Sequence, residues 1–553
     1  MSEAALSRVA LAFGDAVAGL HARGGGDPRA RDTVGRWAGL AWHASDEGHV
    51  CVRVDDPREL AALAASPAIA RAARTERAGS PVGRSALVVD AGWVYLPRLH
   101  RAEILLAARV AALDRDEPVA DQETIRACLD PLFPDAADGD AQRDAVRAAL
   151  RRRLALVSGG PGTGKTTTLA RLLVAYASLR PDARVCFAAP TGKAAARLAQ
   201  SLGEQLPRLD PQGRVTGSLP AAGMTVHRLL GLGGEGAGAR AAAVALPWDL
   251  VIVDEASMLD LELAAALAAA IPEHGRLVLA GDMDQLASVE AGAVFAELCA
   301  SGLGAAVRLE RNYRQRDAAA IVELATAVRD RAGAQRIAQA LGPHVRTAEH
   351  PGTIADAAAA GYAAALDALA AGRPAAQVLV EFDRFRVLTA LREGEWGSQG
   401  LNRAIAARVR RRLHAPAQAQ WYPGRLVMVT RNQPDSGLVN GDVGLCTDAA
   451  SVCFSGPQGV REIPVLAMPP CDDAFAVTVH KSQGSEFDAV DFVPAPPGHP
   501  LNTRELVYTA ITRARRTLRV WGDAQALAAA AGVGVARDGR LRERIVDALA
   551  ARG

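Results

Sequence analysis

The residues Gly159-Gly160-Pro161-Gly162-Thr163-Gly164-Lys165-Thr166 fit the pattern G-x-x-x-x-G-K-[ST]. They follow an apolar run, Leu154–Val157, that reads as a strand, and they open a helical stretch, Thr167–Ala177. In that setting glycines let backbone N–H groups close on phosphates, and the helix N-terminus adds a favourable field. Lys165 is placed to reach the β- and γ-phosphates, and Thr166 to ligate Mg²⁺, so Gly159 through Thr167 form the expected nucleotide loop. A second signal is Val251-Ile252-Val253-Asp254-Glu255, where an apolar strand delivers two carboxylates to its C-terminal end. Asp254 would hold Mg²⁺, and Glu255 would orient and deprotonate an attacking water. A glycine turn or an Asp-Glu pair alone is ordinary structure. Together they predict hydrolysis of a nucleoside triphosphate and nothing narrower.

The elements that must position these residues alternate. From Gln142 to about Arg329, strands at Leu154–Val157, Arg184–Ala188, Leu250–Val253, Arg276–Leu279 and Val307–Leu309 are separated by helical segments. That is the pattern of a parallel sheet covered by helices. After an Ala-rich helical stretch, Ala338–Ala371, a second α/β region starts at Arg386–Ala390 and resumes at Phe475–Val479, Ala489–Phe492 and Leu518–Trp521. Between its halves lies a strand- and turn-rich insertion at about 421–465, expected as a small β-barrel. Residues 1–115 mix helices and short strands, and the polar stretch 116–140 reads as a connector. The expected domains are thus 1–115, a first motor-type domain at 141–330 and a second at 331–553. A nucleotide site is expected in the cleft between the two α/β domains.

Composition narrows the class. The 553 residues are half hydrophobic, which allows large cores and argues against wholesale disorder. No apolar run is long enough to span a bilayer, and the first residues read as an amphipathic helix, not a secretion signal. The seven cysteines form no C-x-x-C pair, which predicts reduced thiols in a cytoplasmic protein and no structural zinc. The net charge of +2 neither demands nor excludes nucleic acid. Only three of the 63 basic residues are lysine, namely Lys165, Lys193 and Lys481. A coding bias toward Arg explains the excess, and the remaining lysines then mark places where a compact ammonium is needed.

Seven further segments, in order between Gln142 and Asp523, resemble those of superfamily 1 helicases. Gln142 is similar to the glutamine that reads the adenine edge. Ala189-Pro190-Thr191-Gly192-Lys193-Ala194-Ala195 resembles motif Ia, and Thr225-Val226-His227-Arg228-Leu229-Leu230-Gly231 the segment after it. Gly281-Asp282-Met283-Asp284-Gln285-Leu286 resembles motif III, with Gln285 implied as a γ-phosphate sensor. Arg311-Asn312-Tyr313-Arg314 resembles motif IV, with Arg314 a further γ-phosphate contact. Val477 to Phe487 resembles motif V, and Tyr508 to Arg515 motif VI, with Arg513 implied as an arginine finger. The resemblance implies two RecA-like P-loop NTPase domains, the cofactors ATP and Mg²⁺, and a single DNA strand held near Thr191, Lys193, His227, Thr478 and His480. For the two histidines the competing reading is core packing. The cluster Arg408–Arg412 reads as a solvated helix face.

Within the superfamily, Val477–Phe487 and Trp421–Gly444 resemble the RecD branch, which moves 5′ to 3′ and carries a small β-barrel insertion. Gly48-His49-Val50-Cys51 and Leu132-Phe133-Pro134 are similar to the α+β N-terminal domain of that branch, which docks onto the gamma subunit of RecBCD. The implied partners are RecB and RecC, single-stranded DNA and duplex ends, with no membrane. About 140 residues precede the motor, which favours a complex subunit over a stand-alone helicase. The short stretch Leu206–Met224 leaves room for only a small strand-splitting pin. No lysine sits in an E-x-K pattern, so nuclease activity is expected elsewhere in the complex. A stand-alone helicase and an ATP-driven conformational switch remain the alternatives.

Overall fold

The computed structural model describes residues 6–72, 85–134, 139–211, 213, 223–232, 245–304, 306–313, 318–433, 436–456 and 459–552. Four short strands come first: β1 (Cys51–Arg53), β2 (Ile69–Arg71), β3 (Leu87–Asp90) and β4 (Trp93–Tyr95), in the order β1-β4-β3-β2. Six follow in a wholly parallel sheet: β5 (Leu154–Gly159), β6 (Val185–Ala189), β7 (Met224–Thr225), β8 (Leu250–Val253), β9 (Arg276–Gly281) and β10 (Ala306–Leu309). Their order is β10-β5-β9-β8-β6-β7, so the strands that carry the glycine loop and Asp254 flank β9.

The second parallel sheet joins β11 (Val345–Arg346) and β12 (Phe385–Thr389) to three strands that follow an insertion. The insertion supplies β13 (Leu426–Val429), β14 (Val443–Cys446), β15 (Ser451–Gly456), β16 (Gly459–Pro464) and β17 (Cys471–Asp473). The sheet then resumes with β18 (Ala476–Thr478), β19 (Phe487–Val493) and β20 (Ala514–Trp521), in the order β11-β20-β19-β12-β18. Two related parallel sheets with crossover helices are the RecA-like motor pair that the alternation predicts.

The side-chain period of a strand is two, and the first sheet shows it cleanly. Leu154, Leu156, Val251, Val253, Leu277 and Leu279 join one core, shared with the N-terminal region. Ala155, Val157, Leu250, Ile252, Val278 and Ala280 point the other way, into a second core. The expected connector belongs to that second core. It holds a helix, Gln122–Leu129, capped by the Asp121 carboxylate, and Ile125, Leu129, Leu132 and Phe133 pack against the helix Lys165–Leu179. Polar spacing hid an amphipathic turn with only four inward residues.

Three more expectations need correction. The insertion is an open antiparallel sheet in the order β16-β15-β14-β13-β17, and among the described residues its outer strands do not pair. It also runs past residue 465, to Asp473. The Ala-rich stretch is broken by the edge strand β11 between the helices Ala334–Leu341 and Pro351–Gly361. Gly342, Pro343 and Pro351 mark this break in the sequence, a signal outweighed by the many helix-favouring alanines around it.

The last correction concerns residues after 535, which leave the second motor domain. Arg537 donates to the carbonyl oxygens of Ser288 (2.7 Å), Gly292 (2.8 Å) and Glu290 (2.9 Å) in the first. The backbone N–H of Val50 then donates to the Asp538 carbonyl at 2.7 Å. The closing helix, Leu541–Ala550, packs on the helix Pro97–Leu113. There Arg544 reaches both the buried carboxylate of Glu103 and that of Asp90, each at 2.6 Å. No described helix is long and apolar enough to cross a membrane.

Removing one member of a buried ion pair strands the other in a dry site, at a cost of about 3–5 kcal/mol. Arg544→Met is therefore expected to lower the urea midpoint of the N-terminal unfolding transition. The double variant Arg544→Met, Glu103→Gln should recover most of that loss.

Glu297, on the helix Val294–Ala300, is pushed from the ordinary 4.5 up to about 7 by burial and, secondly, by Glu103. The folded state thus holds this proton more tightly, so its stabilisation is complete below pH 4.5 and is lost as the pH rises through 7. Glu297→Gln is expected to raise Tm at pH 8 and to leave it nearly unchanged at about pH 4.

Candidate active site

The buried strand β5 ends at the glycine loop, and the helix Lys165–Leu179 starts from it. Gly162 and Gly164 both hold positive φ, at 82° and 83°, which lets the chain turn back under its own N–H groups. The ammonium of Lys165 donates to the carbonyl of Gly159 and, at 3.4 Å, to that of Gly160. The Thr163 hydroxyl donates to Gly160 O at 2.7 Å, which fixes the turn.

Gln142 lies on the helix Ala141–Arg151, which Asp140 caps. Its amide donates to Thr163 O at 3.1 Å and accepts from Arg171 at 2.9 Å. The guanidinium of Arg171 in turn sits 4.4 Å over the Phe133 ring. In this structure the expected adenine reader is buttressing the phosphate loop, with both ends of its amide engaged.

At the end of β8, Asp254 accepts from the Glu255 N–H at 2.9 Å. Burial, and then the neighbouring Glu255, hold the Asp254 carboxyl above its ordinary range, while Lys165 pulls it down. Glu255 stands in the left-handed region, with φ 53°. A non-glycine residue there costs on the order of 1–2 kcal/mol, a strain that surrounding structure must hold. The turn aims both carboxylates at the glycine loop rather than letting the strand continue.

One cavity gathers these groups. Lys165, Thr166, Asp254, Glu255 and Gln285 come from the first motor domain, and Gly484, Glu486 and Arg513 from the second. Arg513 is buried, donating to Thr509 O at 3.2 Å and Ser485 O at 3.1 Å. Arg314 lies outside the described residues, as does most of the stretch expected to bear a pin.

The two domains meet at a polar network beside this cavity. Asp282 accepts from Gln285 at 2.9 Å and, across the cleft, from the Tyr508 hydroxyl at 3.1 Å. The Leu286 N–H donates to Thr509 Oγ1 at 2.9 Å, and the Gln483 amide donates to Leu286 O at 2.9 Å. Leu286 itself packs into the core of the second domain. Burial and Asp282 push the Tyr508 phenol well above its usual range, so it stays a donor. Sequence reasoning quoted the segments holding Asp282, Gln483, Tyr508 and Thr509 but gave these residues no role.

The residues expected at DNA are dispersed. Thr191 caps the helix Gly192–Leu209 by accepting from Ala194 N at 3.2 Å. A Cβ at Gly192 would meet Val439 at 3.0 Å, so this segment faces the turn between β13 and β14. Burial lowers the Lys193 ammonium, with Asp383 and Asp442 opposing that shift. Thr478 borders a cavity with Arg392, Gln399, Arg403 and Lys481 in the second domain. His480 is lowered by burial and by Arg537. His227 is exposed and lines a different groove, with Arg98, Asp260 and Glu262.

Arg197 was missed altogether. It sits one helical turn after Lys193, donating to Glu486 at 2.6 Å and to Gly484 O at 3.0 Å across the cleft. Spacing on the helix was the only signal, and any exposed arginine would have matched it.

A Cβ on Gly164 would fall 2.2 Å from Gln142 Nε2, at a φ that L residues rarely adopt. Gly164→Ala is therefore expected to weaken nucleotide affinity at least about tenfold, roughly 1.4 kcal/mol. Titration of a fluorescent ATP analogue checks it, with far-ultraviolet circular dichroism unchanged.

Two family models match the chain: the AAA domain over residues 138–349 and the UvrD-like helicase C-terminal domain over residues 473–521. The chain is 36% identical to the RecBCD enzyme subunit RecD of Mycobacterium tuberculosis, over 90% of this chain and 86% of that protein. It is 32% identical to the RecBCD enzyme subunit RecD of Haemophilus influenzae, over 71% of each. Against the ATP-dependent RecD2 DNA helicase of Deinococcus radiodurans the figures are 31%, 82% of this chain and 59% of the relative. A likeness that runs through the N-terminal region as well as both motor domains places the chain in the RecD family of ATP-dependent DNA helicases.

Proposed function

We propose that the chain is the 5′-to-3′ motor of a cytoplasmic RecBCD-type complex, acting with RecB and RecC on DNA ends in break repair and recombination. The observation that carries this reading is the shared cavity, where five catalytic-type residues of one domain face an arginine of the other. Lys165 binds the β- and γ-phosphates, Glu255 activates water, and Gln285, Arg314 and Arg513 answer the γ-phosphate. Thr166 and Asp254 border the same cavity, and their oxygens are the donors a hard dication takes. Asp254 is a buried carboxylate beside a second one, so a cation there would offset a real electrostatic penalty. These residues fit Mg²⁺, which would supply charge neutralisation at the phosphates.

Closure on ATP moves Arg513 toward the first domain, and hydrolysis releases it. Thr191 and Lys193 grip the strand from the first domain, Thr478 and His480 from the second, and their separation changes with each cycle. His227 lies apart from them and serves as an outer contact. We read the open sheet β13–β17 as this chain's counterpart of the family's small β-rich insertion, and residues 1–115 as the subunit-docking unit.

The test is ATP hydrolysis by the chain and by a reconstituted heterotrimer, with and without single-stranded DNA. Stimulation by DNA, abolished in Lys165→Gln, is expected, as is displacement of a strand from a duplex with a 5′ overhang but not a 3′ one. Glu255→Gln should lower kcat by about 10²–10⁴-fold while nucleotide binding persists. Hydrolysis indifferent to DNA in both preparations would favour a switch over a motor.

A further inference from the structure

The proposed machinery leaves Arg197 unassigned, although it borders the same cavity as Lys165 and Asp254. Its guanidinium crosses from the first domain to the second, with one arm on the Glu486 carboxylate at 2.6 Å and the other on the Gly484 carbonyl at 3.0 Å. Glu486 has only 6% of its side chain exposed, and Arg515 of its own domain also reaches it, at 3.3 Å. Glu486 thus keeps a charged partner within its own domain if Arg197 lets go. The cross-domain arm is therefore available for a different purpose.

Both ends of this contact lie on elements that also carry the proposed strand grips. Arg197 stands on the helix Gly192–Leu209 one turn after Lys193, on the same face, and Thr191 caps that helix. Glu486 closes a loop that leaves β18 through Thr478 and His480. Within that loop Gln483 is tied to Leu286 of the first domain, and Ser485 to Arg513. The acidic pair Asp254 and Glu255 also faces Arg197 and, with Glu486, raises its affinity for the proton.

We propose that Arg197 is a positioning residue for the motor: its contact with Glu486 and Gly484 locks the strand-gripping loop of the second domain to the strand-gripping helix of the first, and nucleotide in the cleft governs that lock. A triphosphate entering beside Arg197 competes with Glu486 for its guanidinium, since an arginine fork binds phosphate and carboxylate alike. The lock thus ties occupancy of the nucleotide site to the spacing of the two grips. This inference rests on the cleft being the ATP site.

The experiment compares the full chain, reconstituted with its partner subunits, as parent, Arg197→Ala, Arg197→Lys, Glu486→Ala and the double variant Arg197→Ala, Glu486→Ala. Steady-state ATP hydrolysis at saturating oligo(dT) gives kcat and KM, and a translocation assay gives ATP consumed per nucleotide travelled. A parallel Lys165→Gln control, which should abolish hydrolysis, reports separately on the nucleotide-site reading. Arg197→Ala and Glu486→Ala are each expected to raise ATP consumed per nucleotide at least threefold, with a smaller change in KM for ATP. The double variant should be no worse than the more affected single one, and Arg197→Lys should recover part of the loss. Unchanged ATP use per nucleotide in Arg197→Ala, or multiplicative losses in the double variant, would overturn the proposal. So would a fall in Tm that accounted for the activity loss in Arg197→Ala and Arg197→Lys alike.

Discussion

A carboxylate in a dry site must be met by donors, and at Asp282 one of those donors belongs to each motor domain. Gln285 comes from its own loop and Tyr508 from across the cleft. The Asp282 loop starts where β9 ends, beside β5, and the N–H of Met283 donates to Ser158 of β5 at 3.2 Å. The carboxylate is therefore fixed relative to the glycine loop. The Tyr508 hydroxyl lies so near Gly160 that a Cβ there would approach it to 2.8 Å. The glycine loop, the Asp282 loop and the second domain are thus held within one set of contacts, and a shift at any of them must be felt by the others.

That arrangement explains why the first domain needs its unusual buttressing. One face of its sheet is covered by the N-terminal region and the closing helix, the other by the helix Gln122–Leu129 and its neighbours. A parallel sheet with both faces covered is a stiff platform. Against it, Leu286 projects into the core of the second domain like a pivot, with Thr509 and Gln483 fastening its backbone. The contact between the domains is a small polar and apolar joint, while the parts on either side each have a large buried core.

The motifs were legible because each is local. The glycine loop, the Asp254-Glu255 pair and the strands before them carry their geometry in consecutive residues, and the structure places Lys165, Thr166, Asp254, Glu255, Gln285 and Arg513 around one cavity. The two parallel sheets were legible for the same reason, as apolar runs at regular intervals. What stayed hidden depends on distant partners. The Arg197–Glu486 contact joins residues far apart in sequence, and nothing in the residues near Arg197 distinguishes it from the many other arginines. Arg537 and Arg544 look like solvated charges in an Ala-rich tail until their partners in the first domain and the N-terminal region appear. Gln142 was read through its likeness to an adenine contact, and the fold shows a second use that only the loop beside it reveals.

The scarcity of lysine gives a stricter test of sequence logic, because the three cases divide. At Lys165 the ammonium lies against the Gly159 and Gly160 carbonyls inside a tight loop, a contact suited to a compact point charge. At Lys193 the charge is partly desolvated between domains, and a lone ammonium sheds its proton more readily there than an arginine could. Lys481 meets neither condition. Its side chain is 37% exposed and pairs with Asp472 at 3.1 Å, a contact that arginine makes equally well. Packing and solvation therefore account for two of the three lysines. The third, which borders the same cavity as Thr478, is not accounted for by either.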